Sequence, residues 1–318
     1  MENEVIGLIA GISGEILTEK LHKKGKRVAL IEGKPGESGE ETADFVCRAD
    51  LRQVDKIDSF FKEMGVKKVV IGTGHILALE LSRDLDERGY LLSNDPAASL
   101  LAKDKIRYKE ALMAQGINTP KFIRISPREE MPDTQKIIDY LGLPCVVKSP
   151  VDKVLPQKAN NVDELDAAIL EILGKDSTVL VEEFVRGVDV TVPVLVKKTG
   201  AEAIIVSYYS KAQECHLKGF TSNDSRRESL TPEMETEVKK YCEQVALKTG
   251  MKGLCRIDAM VVPDNMSCCI YILEANSVMV TGIHENQMEY GRFFLEREGV
   301  DFADILIETT MDKFEDYR

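Results

Sequence analysis

Arg256-Ile257-Asp258-Ala259-Met260 and Ile272-Leu273-Glu274-Ala275-Asn276 decide the reading of this chain. Each string alternates polar and apolar residues, the period of a half-buried strand. Paired, the two strands place an arginine, two carboxylates and an amide oxygen on one sheet face. Hard cations such as Mg²⁺ take oxygen ligands and share them with substrate phosphates. An Arg beside such an ion stabilises negative charge developing on a reacting oxygen. The pair therefore points to phosphoryl chemistry on a nucleotide. Arg256 and Asp258, at i and i+2, also fit an ordinary surface ion pair, but that reading leaves an acid and an amide at the end of an apolar strand unexplained.

The region around these strings reads as antiparallel. Asp189–Val196 and Ala203–Tyr209 alternate, and a long helix is expected over Glu233–Thr249, with Pro232 in its first turn. Further helices are expected near Glu289–Arg297 and over Phe302–Asp312, and the polar stretch Cys215–Leu230 reads as a mobile loop. Upstream, a charged helix over Ala102–Ala114 precedes the strands Lys121–Ile125, Cys145–Lys148 and Val179–Phe184, with helices over Thr134–Leu141 and Val162–Leu173 between them. The N-terminal part alternates strands (Val5–Ala10, Val28–Ile31, Lys68–Ile71) with helices (Ile16–Lys24, Val54–Met64). That rhythm predicts a parallel sheet with helices on both faces and ligands at the strands' carboxyl ends. The expected class is α/β in three parts: 1–97 a Rossmann-like parallel-sheet domain, 98–181 a small α+β unit, and 182–318 an α+β unit with an antiparallel sheet.

Composition excludes several classes. The net charge of −12 argues against a general nucleic-acid binder, and the absence of Trp makes a stacking platform for single strands less expected. No apolar run reaches the roughly 18 to 20 residues of a membrane span. The acidic start, Met1-Glu-Asn-Glu4, is unlike a signal peptide. Seven scattered cysteines without a CxxC pair indicate neither a zinc site nor a disulfide framework, so a cytoplasmic setting is expected.

Other candidates lie upstream of the opening strings. Lys148 ends an apolar strand, and a buried lysine is costly unless it meets an anion, which makes it a phosphate candidate. Lys105 opens a helix, where a solvated surface charge is the ordinary alternative. Glu182-Glu183-Phe184-Val185 offers a strand edge for a base, and Asp189 follows; a strand ending at the Arg186-Gly187 turn is the competing reading. Gly11, Gly14 and Glu32 only approximate a dinucleotide fingerprint, because Gly7-x-x-x-Gly11-x-x-Gly14 departs from G-x-G-x-x-G. A tight strand-to-helix turn is favoured there. His284-Glu285 is a minor candidate for the same pocket.

In this order the motifs resemble the ATP-grasp ligases, and the second half is most similar to the D-alanine–D-alanine ligase branch. The matching strings are Asp104-Lys105, Val146-Val147-Lys148, Val181-Glu182-Glu183-Phe184, Gly187-Val-Asp189-Val-Thr191-Val, Arg256-Ile-Asp258 and Leu273-Glu274-Ala-Asn276. The N-terminal part resembles that of the purine-biosynthesis and carbamoyl-phosphate-type members more. The resemblance implies a carboxylate–amine ligase that uses ATP and Mg²⁺, with Mn²⁺ as an alternative, and acts through an acyl phosphate. It implies that Lys105 and Lys148 contact the α- and β-phosphates, and Lys211 the γ-phosphate as a catalytic residue. Glu182, Glu183, Phe184 and Val185 would meet adenine, with Leu273 packed on the base, and Asp189 would take the ribose. Asp258, Glu274 and Asn276 would hold the metal, and Arg256 would stabilise the acyl phosphate and the tetrahedral intermediate. Expected partners are a small carboxylate and an amine, amino acids by class, with a homodimer allowed and neither nucleic acid nor membrane involved.

Three stretches depart from the pattern. The segment Ser149–Asn161 lacks the glycine-rich loop of the family, so Lys153 or Lys158 would serve as point charges. After Asn276 the chain reads Ser-Val-Met-Val-Thr-Gly, and Gly11-Ile-Ser13-Gly14-Glu15 only echoes the D-alanine ligases' N-terminal element. D-alanine specificity therefore does not carry over. Two alternatives remain: a nucleotide-binding module without turnover, and a nicotinamide-dependent dehydrogenase resting on the N-terminal turn.

Overall fold

Three sheets organise the chain in this computed structural model, which describes residues 4–33, 38–126, 133–151, 154–175, 178–208, 230–264, 267–279 and 299–315. Lys153, Lys211, nearly all of the expected loop over 215–230, His284-Glu285 and the helix expected near 289–297 lie outside the described residues.

The first sheet is parallel and ordered β3-β2-β1-β4-β5, from β1 (Val5–Ile9), β2 (Arg27–Glu32), β3 (Phe45–Arg48), β4 (Lys68–Ile71) and β5 (Leu91–Leu92). Its inner strands are almost wholly buried, as apolar runs covered on both faces must be. Helices α2 (Val54–Glu63) and α3 (Ile76–Glu87) give Phe61, Leu81 and Leu85 to one core. Helix α1 (Gly14–Lys23) packs the other face, together with Phe302 and Ile307 of α9 (Phe302–Glu315). At Gly14 a Cβ would lie 1.7 Å from the Ser38 carbonyl oxygen. The glycine thus admits the chain's own backbone, in keeping with the tight-turn reading.

Helix α4 (Pro96–Lys103) leads into α5 (Lys105–Ala114). The single helix expected over 102–114 is broken at Asp104, which is extended (φ −94°, ψ 100°) and accepts from the backbone N–H groups of Ile106 and Arg107, both at 3.1 Å. An Asp side chain that satisfies the free N–H groups of a helix start stabilises a new N-terminus there.

The second sheet, ordered β6-β9-β7-β8, joins β6 (Phe122–Ile125), β7 (Cys145–Lys148), β8 (Gln157–Ala159) and β9 (Val179–Glu183), all antiparallel. Helices α6 (Thr134–Leu141) and α7 (Val162–Leu173) cover it; Leu165, Ile169 and Ile172, at helical spacing, are fully buried.

The third sheet runs β11-β10-β13-β14, from β10 (Val188–Lys197), β11 (Gly200–Ala203), β13 (Gly253–Asp264) and β14 (Ser267–Asn276), with β12 (Ser207–Tyr208) pairing on β10. Its strands are antiparallel, and α8 (Pro232–Lys248) buries Val238, Cys242 and Val245 against one face. The strand expected over 203–209 is interrupted instead. Pro193 accepts from the Ile204 N–H at 2.9 Å, but having no N–H it returns nothing, and the pairing shifts by one residue between Val194↔Ala203 and Thr191↔Ser207. Ala98, Ala102, Tyr108 and Leu112 of α4 and α5 bury into this sheet's core beside Val192, Ile257 and Ile272, although both helices precede the second sheet in sequence.

Candidate active site

The face of the third sheet opposite α8 carries the polar row. Thr191 of β10 stands opposite Asp258 of β13, and Asp258 opposite Glu274 of β14; one step along, Arg256 stands opposite Asn276. The register shifts between Asp258 and Ala259, so that Leu273 is an extra residue in β14. Such a bulge re-aims side chains and is common beside active sites. Leu273 is buried, yet it stands apart from the core cluster that takes Ile272 and Ala275.

Arg256 grips its neighbour with a fork. Its Nε donates to Asp258 Oδ1 at 3.0 Å and Oδ2 at 3.2 Å, and its Nη2 to Oδ2 at 2.7 Å. Thr191 Oγ1 donates to Asp258 Oδ1 at 2.5 Å, and Asn276 Nδ2 lies 3.5 Å from Oδ2. Asp258 is 1% exposed and Arg256 8%, so the pair belongs to the interior and the surface-pair reading is set aside. Glu274 lies 4.0 Å from Arg256 Nη2 and 3.4 Å from Lys105 Nζ, and remains partly accessible. Lys105, brought here by the Asp104 cap, is itself buried. Lys103, Lys105, Glu274, Asn276 and Ser277 line a narrow cleft that reaches Gly74, beyond the end of β4.

The second sheet supplies a buried cluster. Lys148 Nζ lies 2.7 Å from Glu182 Oε2, and Lys109 Nζ 3.1 Å from Glu182 Oε1. The anion that offsets Lys148 within the chain is therefore Glu182, and this carboxylate faces two lysines rather than solvent. Burial pushes the Glu182 carboxyl up, but the charges of Lys109 and Lys148 outweigh it and hold the group below its ordinary range. Burial draws the Lys109 amine down to about 8, against the pull of Glu182 and with Lys148 adding to the fall. Lys109 also donates to Thr119 Oγ1 at 2.7 Å, and Thr119 in turn donates to the Ile272 carbonyl at 2.8 Å. With Ile272 N donating to Asn118 O at 2.9 Å, this ties β14 to the chain between α5 and β6.

The remaining predicted residues flank this centre. β9 is an inner strand, paired with β6 on one side and β7 on the other, so the strand edge expected at Glu182-Glu183 is already taken; Glu183 Oε1 accepts from Lys121 N at 2.8 Å. Phe184 follows β9, and Lys158 Nζ stands 4.5 Å from its ring centroid. Val185 continues that segment and is half-buried. Asp189 is half-buried on β10, two residues before Thr191, and so shares its face.

Two residues escaped the sequence reading. Lys109 is one, although its place four residues after Lys105 on one helix was a usable signal. Thr191 is the other; alternation places it on its strand, but its hydrogen bond to Asp258 needs the strand register to appear. By donor type, two carboxylates and an amide suit a hard divalent cation. Among the described residues no three His, Cys, Asp or Glu side chains group as metal ligands, so Asn276 would be the third oxygen donor. Arg256 already engages both Asp258 oxygens, and a bound cation would share that carboxylate with it.

The comparison that decides the family is a profile match: residues 111–309 match the family described as D-ala D-ala ligase C-terminus. The chain belongs to this family. The D-ala D-ala ligase C-terminus region takes in Lys148, Glu182, Asp189, Arg256, Asp258, Glu274 and Asn276, while Lys105 and Lys109 lie just before it. A D-alanine–D-alanine ligase of Carboxydothermus hydrogenoformans is 31% identical over 191 residues, which are 57% of this chain and 60% of that protein. The chain thus spans about 60% of the length of that curated relative. Among solved structures, an ADP complex of N5-carboxyaminoimidazole ribonucleotide synthetase superposes with a TM-score of 0.76 at 15% identity, covering 96% of this chain and 76% of the other. The D-alanine–D-alanine ligase of Bacillus anthracis complexed with ATP gives 0.71 at 18% identity, covering 100% of both chains. The fold is ATP-grasp, as the motif order implied.

Proposed function

We propose that this chain is an ATP- and Mg²⁺-dependent carboxylate–amine ligase, joining two small molecules, amino acids by class, through an acyl phosphate. The observation that carries the reading is the row Thr191–Asp258–Glu274 with Arg256 and Asn276 beside it, within a D-ala D-ala ligase C-terminus region, and with Lys105 at 3.4 Å from Glu274.

The chemistry asks three things of the protein. A carboxylate is a poor electrophile, so its oxygen takes the γ-phosphoryl group of ATP and ADP leaves. An amine then attacks the acyl carbon, the C–N bond forms, and inorganic phosphate departs. Lys105 and Lys148 supply fixed positive charge for the phosphates. Asp258, Glu274 and Asn276 would hold Mg²⁺, which when bound neutralises phosphate charge during transfer. Arg256, oriented by Asp258, offers N–H donors to charge that grows on the reacting oxygens. Glu182, Glu183, Phe184 and Val185 would meet adenine, Glu182 with its carboxylate engaged by Lys109 and Lys148, with Leu273 on the base and Asp189 at the ribose. Lys211 is assigned to the γ-phosphate on the motif alone, and the reading does not depend on it.

A matrix assay of ADP and phosphate release, with Mg²⁺-ATP and pairs of amino acids or other carboxylates and amines, tests the reading. ADP is expected only when both an acid and an amine are present. Absence of ATP binding by calorimetry would reject it. Tight ATP binding without turnover across the matrix would favour a nucleotide-binding module, the reading suggested by the glycine-free segment Ser149–Asn161.

A further inference from the structure

A second cavity, of about 440 Å³, lies where α9, the α8–β13 connection and the turn between β10 and β11 meet. It shares no residue with the cleft that holds Lys105 and Glu274. Its volume falls in the range of small-molecule sites, about 300–1,000 Å³. Leu247 and Met251 form apolar wall, and Leu247 is 50% exposed, one of few large apolar side chains so open among the described residues. Four lysines edge the same cavity: Lys197, Lys198, Lys252 and Lys313.

Lys313 sets the chemistry. Its ammonium donates to the carbonyls of Leu92 at 2.5 Å and Asn94 at 3.3 Å. An ammonium has three N–H donors, so these two bonds leave one. No carboxylate among the described residues lies within ion-pair distance of it; Asp95 and Asp86 act on it from farther off, Asp95 pairs with Lys252 at 2.6 Å, and Asp312 lines the same cavity. Burial draws the Lys313 amine down to about 8, and the charge of Lys252 adds to the fall. A part-buried cation whose direct partners are two carbonyl dipoles is incompletely offset, and an anion from outside adds to that offset.

We propose that this cavity binds a small monocarboxylate with a compact apolar body, its carboxylate held by Lys313 and the neighbouring lysines and its body laid against Leu247 and Met251. The apolar walls select against bare inorganic anions, which would leave them wet. The site is distinct from the proposed ligase centre and does not rest on it. Gly253, on the cavity wall, precedes Arg256 in β13 by three residues, about 10 Å along the strand.

Calorimetric titration of the full chain with phenylacetate, and with phenylacetamide as the neutral control, tests the site at neutral pH with and without saturating ADP. Phenylacetate is expected to bind equally in both conditions and the amide about tenfold more weakly or worse. Lys313→Met and Leu247→Asp are each expected to weaken phenylacetate by a similar factor. Because Leu247 is half exposed, its variant keeps the test readable if Lys313→Met fails to fold. No phenylacetate binding, equal binding of acid and amide, unchanged binding in Leu247→Asp, or loss of binding with ADP would each overturn the proposal.

Discussion

Lys109 and Glu182 meet at 3.1 Å with neither side chain reaching solvent, 0% and 2% exposed. Glu182 is the shared anion of two lysines, so its charge matters more than its volume. Glu182→Gln keeps the shape and leaves Lys109 and Lys148 facing a neutral amide. Removing one partner of a buried ion pair costs about 3–5 kcal/mol, and urea unfolding of this variant is expected to show a loss of that size. Lys109→Met, which leaves Glu182 its partner Lys148, is expected to lose less. A loss below about 1 kcal/mol for Glu182→Gln, the scale of an exposed pair, would refute the assignment.

The lowered amine of Lys109 predicts a pH signature. Its folded value is about 8, while a lysine in the unfolded chain titrates near 10.4. Between those values the unfolded state binds more protons, so the Lys109 contribution to stability rises with pH; below about pH 8 its unfavourable part is fully present. The stability of the parent chain relative to Lys109→Met is expected to climb from about pH 8 towards pH 10, with a slope approaching 1.4 kcal/mol per unit. Denaturant curves at several pH values measure it, and a flat difference would count against the buried amine.

Arg256 acts, on the proposed chemistry, where charge develops rather than where ATP rests. Arg256→Lys keeps a charge beside Asp258 and loses the fork. Turnover by ADP release is expected to fall about 10²–10³-fold, while ATP affinity by calorimetry changes only a few-fold. Equal losses in both would remove Arg256 from the transition state.

Glu274 tests the metal assignment with little risk to folding, because its side chain is 27% exposed. Glu274→Gln is expected to raise the Mg²⁺ concentration for half-maximal ADP release about tenfold or more, since an anionic oxygen donor is replaced by a neutral one. An unchanged Mg²⁺ titration would place the ion elsewhere.

Asp104→Ala removes the cap of α5. It is expected to cost about 1 kcal/mol, read as a lower midpoint in thermal unfolding, and to raise the KM for ATP because Lys105 is the next residue. A KM that stays put despite the stability loss would detach Lys105 from the nucleotide.

What the sequence disclosed follows from what alternation and apolar runs can carry. β13 and β14 were legible because polar and apolar residues take turns along them, and β1 and β4 because they are continuous apolar runs. β3 and β5, of 4 and 2 residues, are too short to show a period. α3 went unrecognised because its start at His75 carries none of the usual capping residues. The break at Asp104 was hidden because the residues on either side are both helical, and only the capping bonds separate them. The partners of Asp258 in the candidate site were legible along β13 and β14 but not across to Thr191, because register is a tertiary fact. Lys109 stayed hidden for a related reason: a lysine looks solvated until a second sheet is laid over it.

The helix that carries Lys109 buries into the core of the third sheet, whereas Glu182 is built into the second. Their contact therefore crosses a seam between two separately packed bodies. Apolar surfaces can slide past one another with contacts exchanged along the way; two opposite charges in a dry seam cannot. Any rotation of the second sheet would carry Lys148 and Glu182 together and leave Lys105 and Lys109 behind with Arg256 and Glu274. On the proposed function, the pair would act as a latch: opening the cleft by such a rotation would require this ion contact to break.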